Sequence, residues 1–150
     1  MPGSRLSKNL SNPFSMIRHE ISFPVRYYEC DPMGIVHHSN YVRFFEVARD
    51  EMISSWGYGM EKCASDGLVF PVVNISIKFR HSLFVGDTAR VTAEIEDLPL
   101  AKLTVHQCVY NQNGELCAEG TVVLGFMNSQ TGRIMGCPEK FMEVLKAHVL

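Results

Sequence analysis

The sequence predicts an α+β domain in which an antiparallel sheet wraps around one long helix. Three observations carry that prediction. A single amphipathic stretch, residues 41–56, stands early in the chain. Segments in which apolar and polar residues alternate follow it, and an Asn113-Gly114 pair separates the last two of them. The 150 residues, 46% of them hydrophobic, supply one sizeable core and hardly two.

Residues 1–19, rich in Ser, Asn and Pro, are expected to form a flexible tail, with 20–150 as the folded domain. From Glu20 the run ISFPVRYYE has the aromatic and β-branched content of a strand, and Pro24 marks an edge position or a bulge. Asp31-Pro32-Met33-Gly34 is a turn signal. In the helix that follows, Tyr41, Phe44, Phe45, Ala48, Met52 and Trp56 share one face, and Arg43, Glu46, Asp50 and Glu51 occupy much of the rest. Ser39 or Asn40 is placed to cap its start and Gly57 to stop it. A short helix is expected over 60–66.

The remainder reads as strands. Val73, Ile75, Ile77 and Phe79 alternate with Asn74, Ser76, Lys78 and Arg80. Ala89, Val91, Ala93 and Ile95 alternate with Arg90, Thr92, Glu94 and Glu96 in the same way. Segments 102–112 and 115–128 flank Asn113-Gly114 as a hairpin. A final helix is expected over 138–146.

Composition narrows the function classes. A net charge of −2 gives no general attraction to nucleic acid or to anionic membranes. No run approaches the ~18 apolar residues of a membrane helix, and the N-terminus lacks the apolar stretch of a signal peptide. Five cysteines (Cys30, Cys63, Cys108, Cys117 and Cys137) are scattered without a CxxC. Free thiols in a reducing compartment, and so a cytoplasmic protein, are the simpler reading. There is no GxGxxG and no P-loop. His37 and His38 are adjacent, and no further ligand stands at zinc-like spacing, so neither metal nor cofactor is expected.

Chemistry concentrates in 28–41, Y-E-C-D-P-M-G-I-V-H-H-S-N-Y. A helix start presents unsatisfied N–H groups and partial positive charge, suited to a carbonyl oxygen becoming an oxyanion. Around His38 to Tyr41 those groups stand a few residues from Asp31, whose turn can face the same spot. A carboxylate as base or nucleophile, oxyanion donors and a histidine are the parts of an acyl-transfer site. Taken alone, D-P-x-G reads as a turn, but a turn is also what can aim a carboxylate.

The pattern Asp31, Gly34, Ile35, Val36, His38, Tyr41, followed by F-F-E-V-A-R through Arg49, closely resembles the hotdog thioesterases. Within them it is most similar to the branch of 4-hydroxybenzoyl-CoA thioesterase and the Tol-Pal-associated acyl-CoA thioesterases. The resemblance spans roughly residues 22–145, and F-R-H-S-L-F-V-G-D, with Gly86-Asp87 opening a strand, matches more weakly. It implies a hotdog fold and hydrolysis of an acyl-CoA thioester. Asp31 falls on the catalytic aspartate, and His38 on the helix-start position whose N–H polarises the carbonyl. Tyr41 falls on an aromatic position that shapes the pocket. His37 stands where relatives carry an aromatic residue, and Cys30 precedes the aspartate; both bear on the acyl group rather than on the chemistry.

A CoA ligand needs basic side chains, and Lys78, Arg80, Arg90 and Lys102 lie on polar strand faces or at a strand start, where each alone reads as solvated. Cys30 as nucleophile is disfavoured, because a neighbour of Asp31 points away from it. Glu46 could assist chemistry, although a surface ion pair with Arg43 or Arg49 suits it better. Two rival functions differ in class. One is a hotdog hydratase or dehydratase, against which stands the absence of G-D-x-N-P-x-H. The other is a non-catalytic protein binding acyl-CoA or acyl carrier protein, against which stands the intact Asp31 motif. The resemblance further implies a dimer with sheets paired edge to edge, often doubled to a tetramer, with sites at the subunit interface.

Overall fold

The computed structural model describes residues 15–150. Residues 1–14, which make up most of the expected tail, lie outside that range. Eight strands and three α-helices follow in order: β1 (Ile17–Pro24), α1 (Asn40–Ser55), α2 (Met60–Ser65), β2 (Leu68–Val69), β3 (Val72–Phe79), β4 (Thr88–Ile95), β5 (Leu103–Tyr110), β6 (Leu116–Leu124), β7 (Phe126–Asn128), β8 (Ile134–Met135) and α3 (Glu139–Ala147). A 3₁₀ turn, Tyr27–Glu29, links β1 to the loop before α1. Five strands form one antiparallel sheet in the order β1-β4-β5-β6-β3, and β2, β7 and β8 form a small second sheet.

The sheet curls around α1. Tyr41, Phe44, Phe45, Ala48 and Met52 are buried on the helix, facing a floor that includes Ala89, Val91, Ala93 and Ile95 of β4. The three- and four-residue periodicity of one element thus meets the two-residue periodicity of the other. Trp56, at the helix end, is only partly buried; its ring stacks on His148 at 5.5 Å and tilts against Phe141 at 6.4 Å.

Four features refine the sequence expectation. The domain begins before residue 20: Ile17 is 1% exposed and pairs with Ile95. Pro24, which has no N–H to give, ends β1 at the sheet edge, as expected of an edge strand. The hairpin expected at Asn113-Gly114 forms, joining β5 to β6, but among the described residues no non-glycine has positive φ, so Asn113 does not adopt the type I′ conformation. Instead Gly114, at φ 78°, donates to the Asn111 carbonyl, and the Asn111 side chain accepts from the Asn113 and Glu115 amides. Finally, β3 is the other edge strand, and its alternation does not produce a covered face: Val73, Ile75 and Phe79 are 50%, 37% and 53% exposed. α1 packs over β1 and β4 and leaves β3 open.

Arg49 was expected on a solvated helix face and is instead 7% exposed. Its Nη1 donates to Oε1 of the fully buried Gln107 at 3.1 Å. Gln107 in turn donates to the carbonyls of Phe45 (3.0 Å) and Thr92 (3.2 Å), tying α1 to the sheet. Burial lowers the Arg49 guanidinium from its usual range, opposed by the nearby Glu46 and Asp50.

Candidate active site

The loop between the 3₁₀ turn and α1 is held as a small structure of its own. Gly34 sits at φ 80°, a conformation that side chains other than glycine rarely adopt, and its N–H closes the turn on the Asp31 carbonyl at 2.9 Å. The Asp31 N–H donates to Ile35, Val36 donates to Leu83, and Val85 donates to Gly34. These bonds pin the segment following β3 against the aspartate turn. Leu83, fully buried, anchors that segment in the core.

Asp31 is half-buried. Its Oδ1 accepts from the Met33 N–H at 2.8 Å and the Ile35 N–H at 3.3 Å, so two amides fix the carboxylate's direction. Among the described residues nothing donates to Oδ2.

Four of the amides around the helix start are already used. His37 donates to Glu29 O, Ser39 to His37 Nδ1, Asn40 to His37 O and Tyr41 to His38 O. The His38 N–H has no acceptor among the described residues. The expected caps take no part in this: neither Ser39 nor Asn40 caps α1 through its side chain. Asn40 Nδ2 donates to Glu29 O at 2.8 Å, and Ser39 Oγ lies 2.9 Å from His37 Nδ1.

Asp31, His37, His38 and Tyr41 line one open cleft of about 360 Å³, with Ile35, Val36, Phe79, Arg80, His81 and Ser82 completing it. The His37 and His38 rings stack, their centroids 4.2 Å apart and their planes at 29°. Tyr41 is buried edge-on to Phe79 (5.2 Å) and Phe44 (5.8 Å), and burial pushes its phenol up. Cys30 is turned toward the Arg26 carbonyl (3.6 Å), and burial together with Glu29 and Asp31 raises its thiol, which does not suit a nucleophile.

Of the basic residues singled out from the sequence, Arg80 lines the cleft, with its Nε on Glu119 at 2.7 Å. Lys78 is exposed two residues earlier on β3. Arg90 is engaged elsewhere, with Glu20 at 3.3 Å and the Tyr110 ring at 4.5 Å. Lys102 precedes β5 and borders a separate hollow with Glu96 and His106, at the opposite end of the sheet. Phe79, His81 and Ser82 were not singled out from the sequence. The signal that could have found them is F-R-H-S-L-F, whose buried Leu83 folds the segment back onto the Asp31 turn. Among the described residues no three His, Cys, Asp or Glu side chains gather as metal ligands, and no helix is long and apolar enough to cross a membrane.

A sheet curled around one helix is the hotdog architecture, and Asp31 and His38 share a cleft at that helix's start. Residues 25–145 match the model of the thioesterase-like superfamily, and the chain belongs to that family. A relative from Aquifex aeolicus (strain VF5) is 34% identical over 122 residues, which cover 81% of this chain and 93% of its own. The acyl-CoA thioester hydrolase YbgC of Escherichia coli O6:H1 is 28% identical over 104 residues, 68% of this chain and 78% of that one. Among solved structures, the DHNA-CoA thioesterase from Staphylococcus aureus superposes with a TM-score of 0.80 at 25% identity, covering 88% of this chain and 91% of that one. The fold is the hotdog fold of these enzymes.

Proposed function

We propose that this chain hydrolyses an acyl-CoA thioester to the free acid and CoA, with Asp31 acting at the thioester carbon and the His38 N–H receiving the oxyanion. The observation that carries this reading is the presence in a single cleft of Asp31 and of His38, whose N–H has no acceptor among the described residues. With the thioester oxygen at that amide, the positive end of α1 stabilises the tetrahedral intermediate. A donor so placed is worth about 3–4 kcal/mol in the transition state. Asp31 then has two routes. It attacks the carbonyl carbon and forms an anhydride that water opens, or it takes a proton from a water that attacks. In both, the C–S bond breaks and CoA leaves as the thiolate.

The His38 side chain stands beside the same carbonyl as a hydrogen-bonding group. Tyr41 shapes the acyl side of the cleft, and Gly34, whose N–H closes the turn on the Asp31 carbonyl, helps aim the carboxylate. Arg80, by exchanging Glu119 for a phosphate, and Lys78 would hold the CoA end. Lys102 could reach the site only from a neighbouring subunit. The apolar residues left open on β3 fit an edge-to-edge pairing of two sheets into a dimer, or two such dimers in a tetramer. The Asp31 motif points to the branch of 4-hydroxybenzoyl-CoA thioesterase and the Tol-Pal-associated acyl-CoA thioesterases. The similarity to an acyl-CoA thioester hydrolase supports acyl-CoA as the substrate, and the five free thiols suit a cytoplasmic enzyme. An acyl carrier protein could present the same thioester.

A panel of acyl-CoAs assayed for released thiol, with product analysis, tests the reading. One free acid per thiol is expected, with no double-bond chemistry. CoA binding without turnover across the panel would instead make the chain a binding protein, and enoyl products would make it a hydratase.

A further inference from the structure

We infer that His37 is a positioning residue for this reaction: its Nδ1 holds the Ser39 N–H and its ring supports His38, leaving the His38 N–H as the amide open to the cleft. This rests on the hydrolytic reading above. An N–H can only donate, so Nδ1, 3.2 Å from Ser39 N and 2.9 Å from Ser39 Oγ, is the acceptor, and the neutral ring carries its hydrogen on Nε2. The imidazole thereby takes up the amide of Ser39, the residue that flanks the helix start. The His37 backbone is itself fixed at both ends, by its N–H on Glu29 O and by its carbonyl under the Asn40 N–H. With the chain clamped before and after it, the peptide between His37 and His38 is held in one orientation, and its N–H has no acceptor among the described residues. Stacking at 4.2 Å holds the His38 ring in the same arrangement.

Two substitutions separate the parts of the argument. His37→Phe keeps a ring face but removes the acceptor. His37→Asn keeps an acceptor able to reach the amide two residues on. Steady-state kcat and KM are measured alongside Asp31→Asn. His37→Phe is expected to lower kcat about tenfold or more with little change in KM. His37→Asn is expected to recover most of that loss. Wild-type kcat in His37→Phe overturns the inference, and so does a His37→Asn no more active than His37→Phe. If His37→Phe fails to fold, His37→Asn decides alone: kcat close to wild type is expected, and a loss of about tenfold overturns the inference. An active Asp31→Asn removes the hydrolytic reading itself, whereas an inactive Asp31→Asn beside a fully active His37→Phe removes only the role of His37.

Discussion

Gln107→Leu should cost far more than its conservative volume suggests. The amide is fully buried and makes three hydrogen bonds, one from the Arg49 guanidinium and two to backbone carbonyls on α1 and β4. A hydrogen bond to a charged group contributes about 1.5–3 kcal/mol and each neutral one about 1 kcal/mol. Leucine fits the space without a large cavity and returns about 1 kcal/mol of apolar burial. It also leaves Arg49 buried without its acceptor. The net loss comes to about 3 kcal/mol, a large share of the ~5–15 kcal/mol that holds a domain folded. For a chain of this size that is a fall in Tm of about 6–12 °C. Urea unfolding at fixed protein concentration, followed by the fluorescence of Trp56, the single tryptophan, measures it directly. A change below about 0.5 kcal/mol would refute the view that Gln107 ties α1 to the sheet.

Three further outcomes follow from the same geometry. Gly120→Ala should destabilise by about 1–3 kcal/mol in the same unfolding assay, because the added Cβ meets the Ser76 carbonyl, Phe45 at 2.9 Å and Ile77 at 3.3 Å; unchanged stability would contradict that packing. Burial pushes the Cys137 thiol up to about 11, so its alkylation should quicken about tenfold per pH unit from pH 8 to 10, and a plateau by pH 9 would contradict it. Arg80→Ala should raise KM for acyl-CoA about fivefold while leaving kcat nearly unchanged, and should have little effect on a pantetheine thioester that lacks the nucleotide; equal effects on both substrates would remove Arg80 from the CoA end.

Much of the fold was legible because two periodicities do not mimic one another. The helix face from Tyr41 to Met52 and the inward residues of β4 are buried as their spacing requires. What the spacing cannot state is which strand lies at the edge. β3 alternates as cleanly as β4 yet has no covered face, because strand order depends on pairings far apart in sequence. Arg49 was misplaced for a related reason: its acceptor, Gln107, is 58 residues away. Of the candidate site residues, Asp31, His38 and Tyr41 share one cleft, and a local pattern can bring them together because they lie within one loop and the first turn of one helix. Phe79, His81 and Ser82 reach the cleft through long-range backbone bonds that no local pattern reports. The helix cap was misread because the candidate side chains are engaged elsewhere, Ser39 Oγ with His37 Nδ1 and Asn40 Nδ2 with the Glu29 carbonyl.

The most direct test is the acyl-CoA hydrolysis rate of Asp31→Asn relative to wild type, measured as thiol release on the best substrate of the panel. The substitution preserves shape and removes the charge that attacks carbon or takes the proton from water. A fall in kcat of about a thousandfold or more, with the fold intact, is the predicted result. A variant that hydrolyses within a few-fold of wild type would show that the thioester is opened by another group.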